Sequence, residues 1–290
     1  MRGSPSAAER LRWRQGDDAI ATVGNVSRSQ DGEDVYAFLH FFYGNRGGSF
    51  LEMGALDGLL YSNTYAFDQV LGWKGVLIEA SPASFERLQV NRPEQTTLHA
   101  AICGEERVVH YLEHPSACCR GIAEFMTSRF RARWYPTLTS DGGWHFAPSA
   151  SGGGEGAPDR LPPGGANSST ANASLPASRS DVDATYDTPI RPVKCVPLGT
   201  ILDDAKTHFD FFSLDVEGGE FAVLSAINFS QFSFNIICIE ADGTDHAKED
   251  RIVRLLRSKG YRYHSHVMRN DWFIREGFRP SRSPHLQLFS

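Results

Sequence analysis

Carboxylates in this chain recur at one kind of place, the downstream end of a short apolar run. Glu52 and Asp57 bracket Gly54 in the stretch from Ser49 to Gly58; Glu79 closes the run from Gly75; and Asp215, with Glu217 and Glu220 behind it, closes the run from Phe209. In an open α/β sheet, ligands bind at the carboxyl ends of the strands, so these acids are candidates for a single crevice. A dinucleotide site would carry GxGxxG, whose glycines bring backbone to a pyrophosphate. Here Asp57 lies inside the turn and would repel phosphate. An acid-lined turn suits a cation better, and S-adenosylmethionine is one, with a sulfonium and an ammonium group and no phosphate. Glu79 stands about twenty residues past the glycine turn, where an acid reaches the ribose diol in doubly wound folds.

Asp215, Glu217 and Glu220 should repel one another enough to raise at least one pKa, which makes a carboxylate usable as a general base near neutral pH. Methyl transfer is a displacement that gains mostly from alignment and needs a base only for the acceptor proton. Asp215 or Glu217 is the expected base, with Glu240 and His246 as alternatives. Two competing uses stand beside this one. Glu217 and Glu220 could complement a helix dipole, and Asp215, Glu217, Glu240 and Asp242 could offer oxygen ligands to magnesium. The ten histidines offer only His264 and His266 at a suggestive spacing, better explained as a strand edge, and no metal is expected. Arg129, Arg131 and Arg133, interleaved with Phe130 and Trp134, read as the charged side of a helix and not as a nucleic-acid groove.

The elements that would position these residues alternate. Residues up to about Val26 lack periodicity and are expected to form a flexible arm. A helix follows, with Val35, Phe38, Leu39 and Phe42 as its apolar stripe. Strands are predicted from Ser49 into the turn at Gly54, over Gly75–Glu79 and over Thr96–Ile102, with helices from Tyr65 to Leu71 and from Ala83 to Asn91 between them. That makes a β-α-β-α-β half. Arg107–Leu112 adds an edge strand, and Phe125, Met126, Phe130 and Trp134 recur at helical intervals. From Asp141 to Pro189 the composition turns to Gly, Ser, Ala, Pro and Asn and reads as a low-complexity insertion. Order returns with strands at Val193–Leu198, Phe209–Asp215 and Asn235–Glu240. Short helices lie over Thr200–Ala205 and beyond Glu220, and an amphipathic helix spans Asp250–Lys259. A hairpin closes the chain, from Tyr261 to Met268 and from Asp271 to Ile274. The domain is thus residues 27–280, interrupted at about 141–189.

Composition sets the outer limits. A chain of 290 residues with 41% hydrophobic content can bury a substantial core, and a net charge of -6 gives no footprint for nucleic acid. No apolar window is long enough for a membrane span, and the first residues have no leader-like core, so the chain is read as cytoplasmic. Five cysteines without a CxxC pair suggest neither a disulfide framework nor zinc, and the triplets at Asn25, Asn167, Asn172 and Asn228 matter only in a secreted protein.

Taken jointly, several segments resemble the FkbM family of S-adenosylmethionine-dependent methyltransferases. They are Ser29-Gln30 with Gly32 to Asp34, Glu52 to Gly58, Ser62-Asn63-Thr64, Gly72 to Gly75 leading to Glu79, Asn91-Arg92, and Ser213 to Glu220. Gly219 and the long insertion depart from the usual pattern. The resemblance implies a class I methyltransferase fold, Rossmann-like, with a mostly parallel seven-stranded sheet ending in an antiparallel hairpin. It implies methyl transfer from S-adenosylmethionine to an oxygen of a saccharide or small natural product. The alternative is an inactive domain kept for protein interaction. The expected cofactor-binding residues are Glu52, Gly54, Ala55, Asp57, Gly58, Asn63, Glu79, Ala80, Ala101, Ile102 and Asp215, and the expected catalytic residues are Asp215, Glu217 and His246.

Overall fold

The long apolar runs fold as strands because both faces of the sheet they build are covered, which removes the usual alternation of apolar and polar residues. The computed structural model describes residues 17–147, 188–202, 207–243, 245–284 and 286. Its first half contains α1 (Asp17–Val26), α2 (Glu33–His40), β1 (Ser49–Met53), α3 (Tyr65–Leu71), β2 (Lys74–Glu79), α4 (Pro82–Asn91), β3 (Thr96–His99), β4 (Ala101–Ile102), β5 (Arg107–Leu112), β6 (Gly121–Ile122), α5 (Ser128–Trp134), β7 (Leu138–Thr139) and β8 (His145–Phe146). The second half contains β9 (Ile190–Val196), α6 (Leu198–Ile201), β10 (Thr207–Leu214), α7 (Glu220–Ala226), β11 (Phe232–Glu240), α8 (His246–Ser258), β12 (Tyr261–Val267) and β13 (Asn270–Arg275).

The main sheet has seven strands in the order β12-β13-β11-β10-β1-β2-β3, all running one way except β13, which is antiparallel to β11 and forms the expected hairpin with β12. Strand order reverses between β1 and β10, the switch point at which such sheets open a crevice. Successive residues of each strand feed opposite layers. Phe50, Leu77, Phe211 and Ile236 pack with Phe38, Phe42 and Phe67 on one side, while Leu51, Ile78, Phe212 and Ile237 pack with Leu224, Ile252 and Leu256 on the other.

Several expectations are corrected. Residues 17–26 are not an arm but helix α1, whose Ala19 and Val23 are buried one turn apart; a stripe that short leaves almost no periodic signal. The predicted third strand breaks at Ala100. β3 stays in the main sheet, and β4 crosses to a second sheet of order β4-β9-β5-β6. Cys103 and Cys195 are joined as a disulfide across that second sheet, a pairing that 92 residues of separation hides from any local pattern. The start of the predicted insertion is folded, since β8 pairs with β7 in a short antiparallel ribbon, whereas most of it, 148–187, lies outside the described residues. Among the described residues no helix is long and apolar enough to cross a membrane.

Candidate functional site

The carboxyl ends of β1, β2, β10 and β11 open onto one crevice, walled on its far side by the second sheet. Gly54 follows β1 directly, against Asp215, the residue after β10. It has φ +82°, and a Cβ there would overlap the Asp215 carbonyl oxygen, so no other residue fits the chain crossing. Of the expected residues, Glu52, Gly54, Asn63, Glu79, Ala80, Ala101, Ile102, Asp215 and Glu217 line the crevice, as does the alternative base Glu240.

Four do not line it. Ala55 is packed into the core beside α3. Asp57 Oδ1 accepts hydrogen bonds from Leu59 N at 3.0 Å and Leu60 N at 2.8 Å, so its charge is used to close the turn. At Gly58 a Cβ would press on Leu88 and Arg92, which makes it a packing glycine. His246 begins α8 with an 82% exposed side chain paired to Glu249.

Glu52 lines the crevice but faces the wrong way for a ligand. Its Oε1 accepts from Asn63 N at 2.8 Å, and its Oε2 accepts from Ser62 Oγ at 2.9 Å and Thr64 Oγ1 at 2.5 Å. Ser62 to Thr64 are therefore held by Glu52, and Thr64, at the N-cap of α3, makes no side-chain cap bond. Behind them Arg92, 1% exposed, donates to Gly58 O at 3.1 Å, Ser62 Oγ at 3.2 Å and Asp68 Oδ2 at 3.0 Å, and Asn91 Nδ2 donates to Asp57 O at 2.8 Å. This clamp fixes the whole loop from Asp57 to Thr64. One product of it is Asn63, buried against Ser213 Oγ at 2.9 Å, with its Oδ1 buried and without a hydrogen-bond partner.

Glu79 is the acid aimed at the crevice. Oε1 accepts from Ser81 N at 2.6 Å and Oε2 from Leu56 N at 2.8 Å, which leaves each oxygen a second lone pair. Burial pushes its pKa up to about 7 against the opposing pull of those backbone N–H groups and of Arg120. Ala100, Ala101, Ile102, Tyr111 and Ile122 form an apolar wall beyond it.

Across the crevice Asp215, Glu217 and Glu240 bring carboxylate oxygens within 4.8 Å of one another; Asp242 is outside that group. Asp215 Oδ1 is buried without a hydrogen-bond partner among the described residues. Burial first, then the charge of Glu220, pushes the Asp215 pKa up to about 6, and burial with the charges of Asp215 and Glu220 raises that of Glu240. The expected repulsion by Glu220 is thus present, although its carboxylate is also held in a buried ion pair with Lys248 at 2.6 Å. Tyr61, Tyr111, Arg120, Phe125 and Arg269 also line the crevice. No pattern in the sequence marks them, since they enter from turns and from the second sheet.

The family model for the methyltransferase FkbM domain matches residues 52–263. Among solved structures, a methyltransferase FkbM from Methylobacillus flagellatus KT is 12% identical, with 92% of this chain and 60% of that one covered and a TM-score of 0.42. A precorrin-6y C5,15-methyltransferase from Geobacter metallireducens GS-15 is 9% identical over 79% of each chain, with a TM-score of 0.36. A TehB-like SAM-dependent methyltransferase from Corynebacterium glutamicum ATCC 13032 Kitasato is 9% identical over 93% of this chain and 97% of that one, with a TM-score of 0.35. No curated protein matches the chain.

Proposed function

Because the chain belongs to the FkbM methyltransferase family, we propose that it binds S-adenosylmethionine in this crevice and methylates a hydroxyl of a saccharide or small natural product. The observation that carries the reading is the pairing of two unlike acid sites across one cleft: Glu79, with lone pairs to spare, and the close-set carboxylates of Asp215, Glu217 and Glu240. When bound, the cofactor supplies a methyl group on a sulfonium, activated for transfer to an oxygen.

The chain's own residues would do the rest. Glu79 accepts hydrogen bonds from a ribose diol. The unpartnered Asn63 Oδ1 suits an ammonium, a donor the protein itself does not provide. Alanines 100 and 101 with Ile102 receive an adenine face without polar cost. The ionised member of the Asp215 and Glu240 pair takes the acceptor's hydroxyl proton, which a carboxylate with a raised pKa does more effectively than an ordinary one. Glu217 adds negative charge beside them. Tyr61 and Phe125 give the apolar faces on which a sugar ring rests.

Calorimetry with S-adenosylmethionine, S-adenosylhomocysteine and NAD in parallel tests the cofactor. Binding of the two adenosyl ligands without NAD is expected, and a folded sample that ignores both would end the methyltransferase reading. Oxygen as the methylated atom is tested by incubating with labelled cofactor and a panel of sugars and amines. Label transferred only to amines would refute it.

A further inference from the structure

Glu217 has a left-handed backbone, φ 53°, as do two other non-glycine residues lining the crevice, Leu56 at 47° and Tyr61 at 58°. A residue with a Cβ stays in that region only where its surroundings outweigh the local preference. At Glu217 the restraint comes from behind the crevice. Glu220, the first residue of α7, is fully buried, and its Oε1 accepts hydrogen bonds from Val216 N at 3.3 Å and Gly218 N at 3.0 Å, the residues on either side of Glu217. Its Oε2 accepts from Lys248 Nζ at 2.6 Å, with the lysine side chain 9% exposed and the glutamate 0%. Lys248 is itself fixed in the first turn of α8, where its N–H donates to the capping Asp245 at 3.1 Å. Burial alone would lower the lysine pKa. The charge and hydrogen bond of Glu220, with Glu240 and Asp242, reverse that and raise it, so the ammonium persists through the neutral range.

We infer that Glu220 and Lys248 are positioning residues: the Lys248 ammonium fixes the Glu220 carboxylate, which holds the Val216–Gly218 turn so that Glu217 presents its carboxylate to the crevice beside Asp215 and Glu240. The inference rests on the reading of the crevice as an adenosyl-ligand site. It assigns a purpose to a buried ion pair whose own side chains do not line the crevice, and it connects two helices to one side chain.

The test is the ratio of affinities for S-adenosylmethionine and S-adenosylhomocysteine, measured by calorimetry on the full chain. The two ligands differ in the sulfonium charge, so the ratio reads negative charge held at that point, whereas loosened packing weakens both alike. Lys248→Met leaves the Glu220 carboxylate without its anchor, and the preference for the sulfonium ligand should fall about tenfold. Glu220→Gln with Lys248→Met removes both buried charges but keeps a carbonyl oxygen for Val216 N and Gly218 N; the ratio should stay within about threefold of the wild type. Glu220→Leu with Lys248→Met is also uncharged and of like volume but offers no acceptor, and the ratio should fall about tenfold. Equal ratios in the two double variants would overturn the inference, as would a wild-type ratio in Lys248→Met. If that single variant does not fold, the double variants decide the matter alone, since neither buries an unpaired charge. A wild-type protein that binds neither ligand would remove the adenosyl-site reading, and this inference with it, before any variant is compared.

Discussion

Replacing Glu79 with glutamine should separate what this acid does for binding from what it costs the fold. Glu79 is 2% exposed, and burial raises its pKa from 4.5 to about 7 in the folded chain. Between those values the folded protein holds a proton that the unfolded chain has lost, so stability falls as pH rises. The contribution is complete below about pH 4.5 and is lost as pH passes the folded value near 7. Integrated from pH 5 to pH 8, this one group makes the wild type less stable by about 2 to 3 kcal/mol. Glutamine does not titrate and therefore lacks this slope. Its amide can accept from only one of Leu56 N and Ser81 N through oxygen, at a cost of about 1 to 3 kcal/mol that does not depend on pH. Glu79→Gln should thus be clearly less stable than wild type at pH 5 and close to it, or above it, at pH 8. Urea unfolding of both proteins at the two pH values gives the comparison, and calorimetry with S-adenosylhomocysteine at pH 8 should show affinity weakened by about 1 to 3 kcal/mol. A stability difference that does not move between pH 5 and pH 8 would refute the assignment of a buried, proton-holding Glu79. Undiminished ligand affinity would remove it from the ribose site.

Four further outcomes are expected. Gly54→Ala should lose more than about 3 kcal/mol in urea unfolding, since the added carbon meets the Asp215 carbonyl, whereas Gly72→Ala, left-handed but with open space around it, should lose about 1 kcal/mol. Glu52→Gln should lower stability by about 1 to 3 kcal/mol and also weaken S-adenosylhomocysteine binding, because the Ser62–Thr64 segment loses an acceptor; calorimetry showing normal binding would separate the loop from the site. Cys195→Ser removes a crosslink spanning 92 residues and should cost about 2 to 5 kcal/mol, and an unfolding midpoint indifferent to both this change and added reductant would show that the bond contributes nothing. With burial favouring the protonated forms of Asp215 and Glu240, EDTA should leave ligand affinity unchanged, and a loss restored by magnesium would give these acids to a metal.

The strands around the site were legible because burial on both faces writes itself as nearly continuous apolar runs, as in Ile236 to Ile239 and in Phe209 to Leu214 with only Asp210 and Ser213 between, and the hairpin followed from its turn. What escaped depends on contacts distant in sequence. The second sheet joins Ala101 to Cys195, and Glu220 finds its lysine 28 residues on, so no window of local pattern contains either pair. The acids were found at the correct ends of the correct strands, yet their roles divided in a way that residue type could not announce. Glu52 and Glu79 are the same amino acid, on the same face of neighbouring strands, each buried. The register explains the division. Glu52 pairs with Leu77 and Met53 with Ile78, which sets Glu79 level with Gly54, one pleat nearer the carboxyl edge than Glu52. One pleat is about 7 Å. At the inner level a carboxylate meets the underside of the loop that Arg92 draws in, and donors from Ser62, Asn63 and Thr64 consume its oxygens. At the outer level no side chain consumes its oxygens; the backbone N–H groups of Leu56 and Ser81 hold it, and accepting capacity remains for a ligand. An acid at a strand end is therefore a binding residue or a loop anchor according to a two-residue offset against its neighbour, a quantity fixed by strand pairing and invisible until the sheet is assembled.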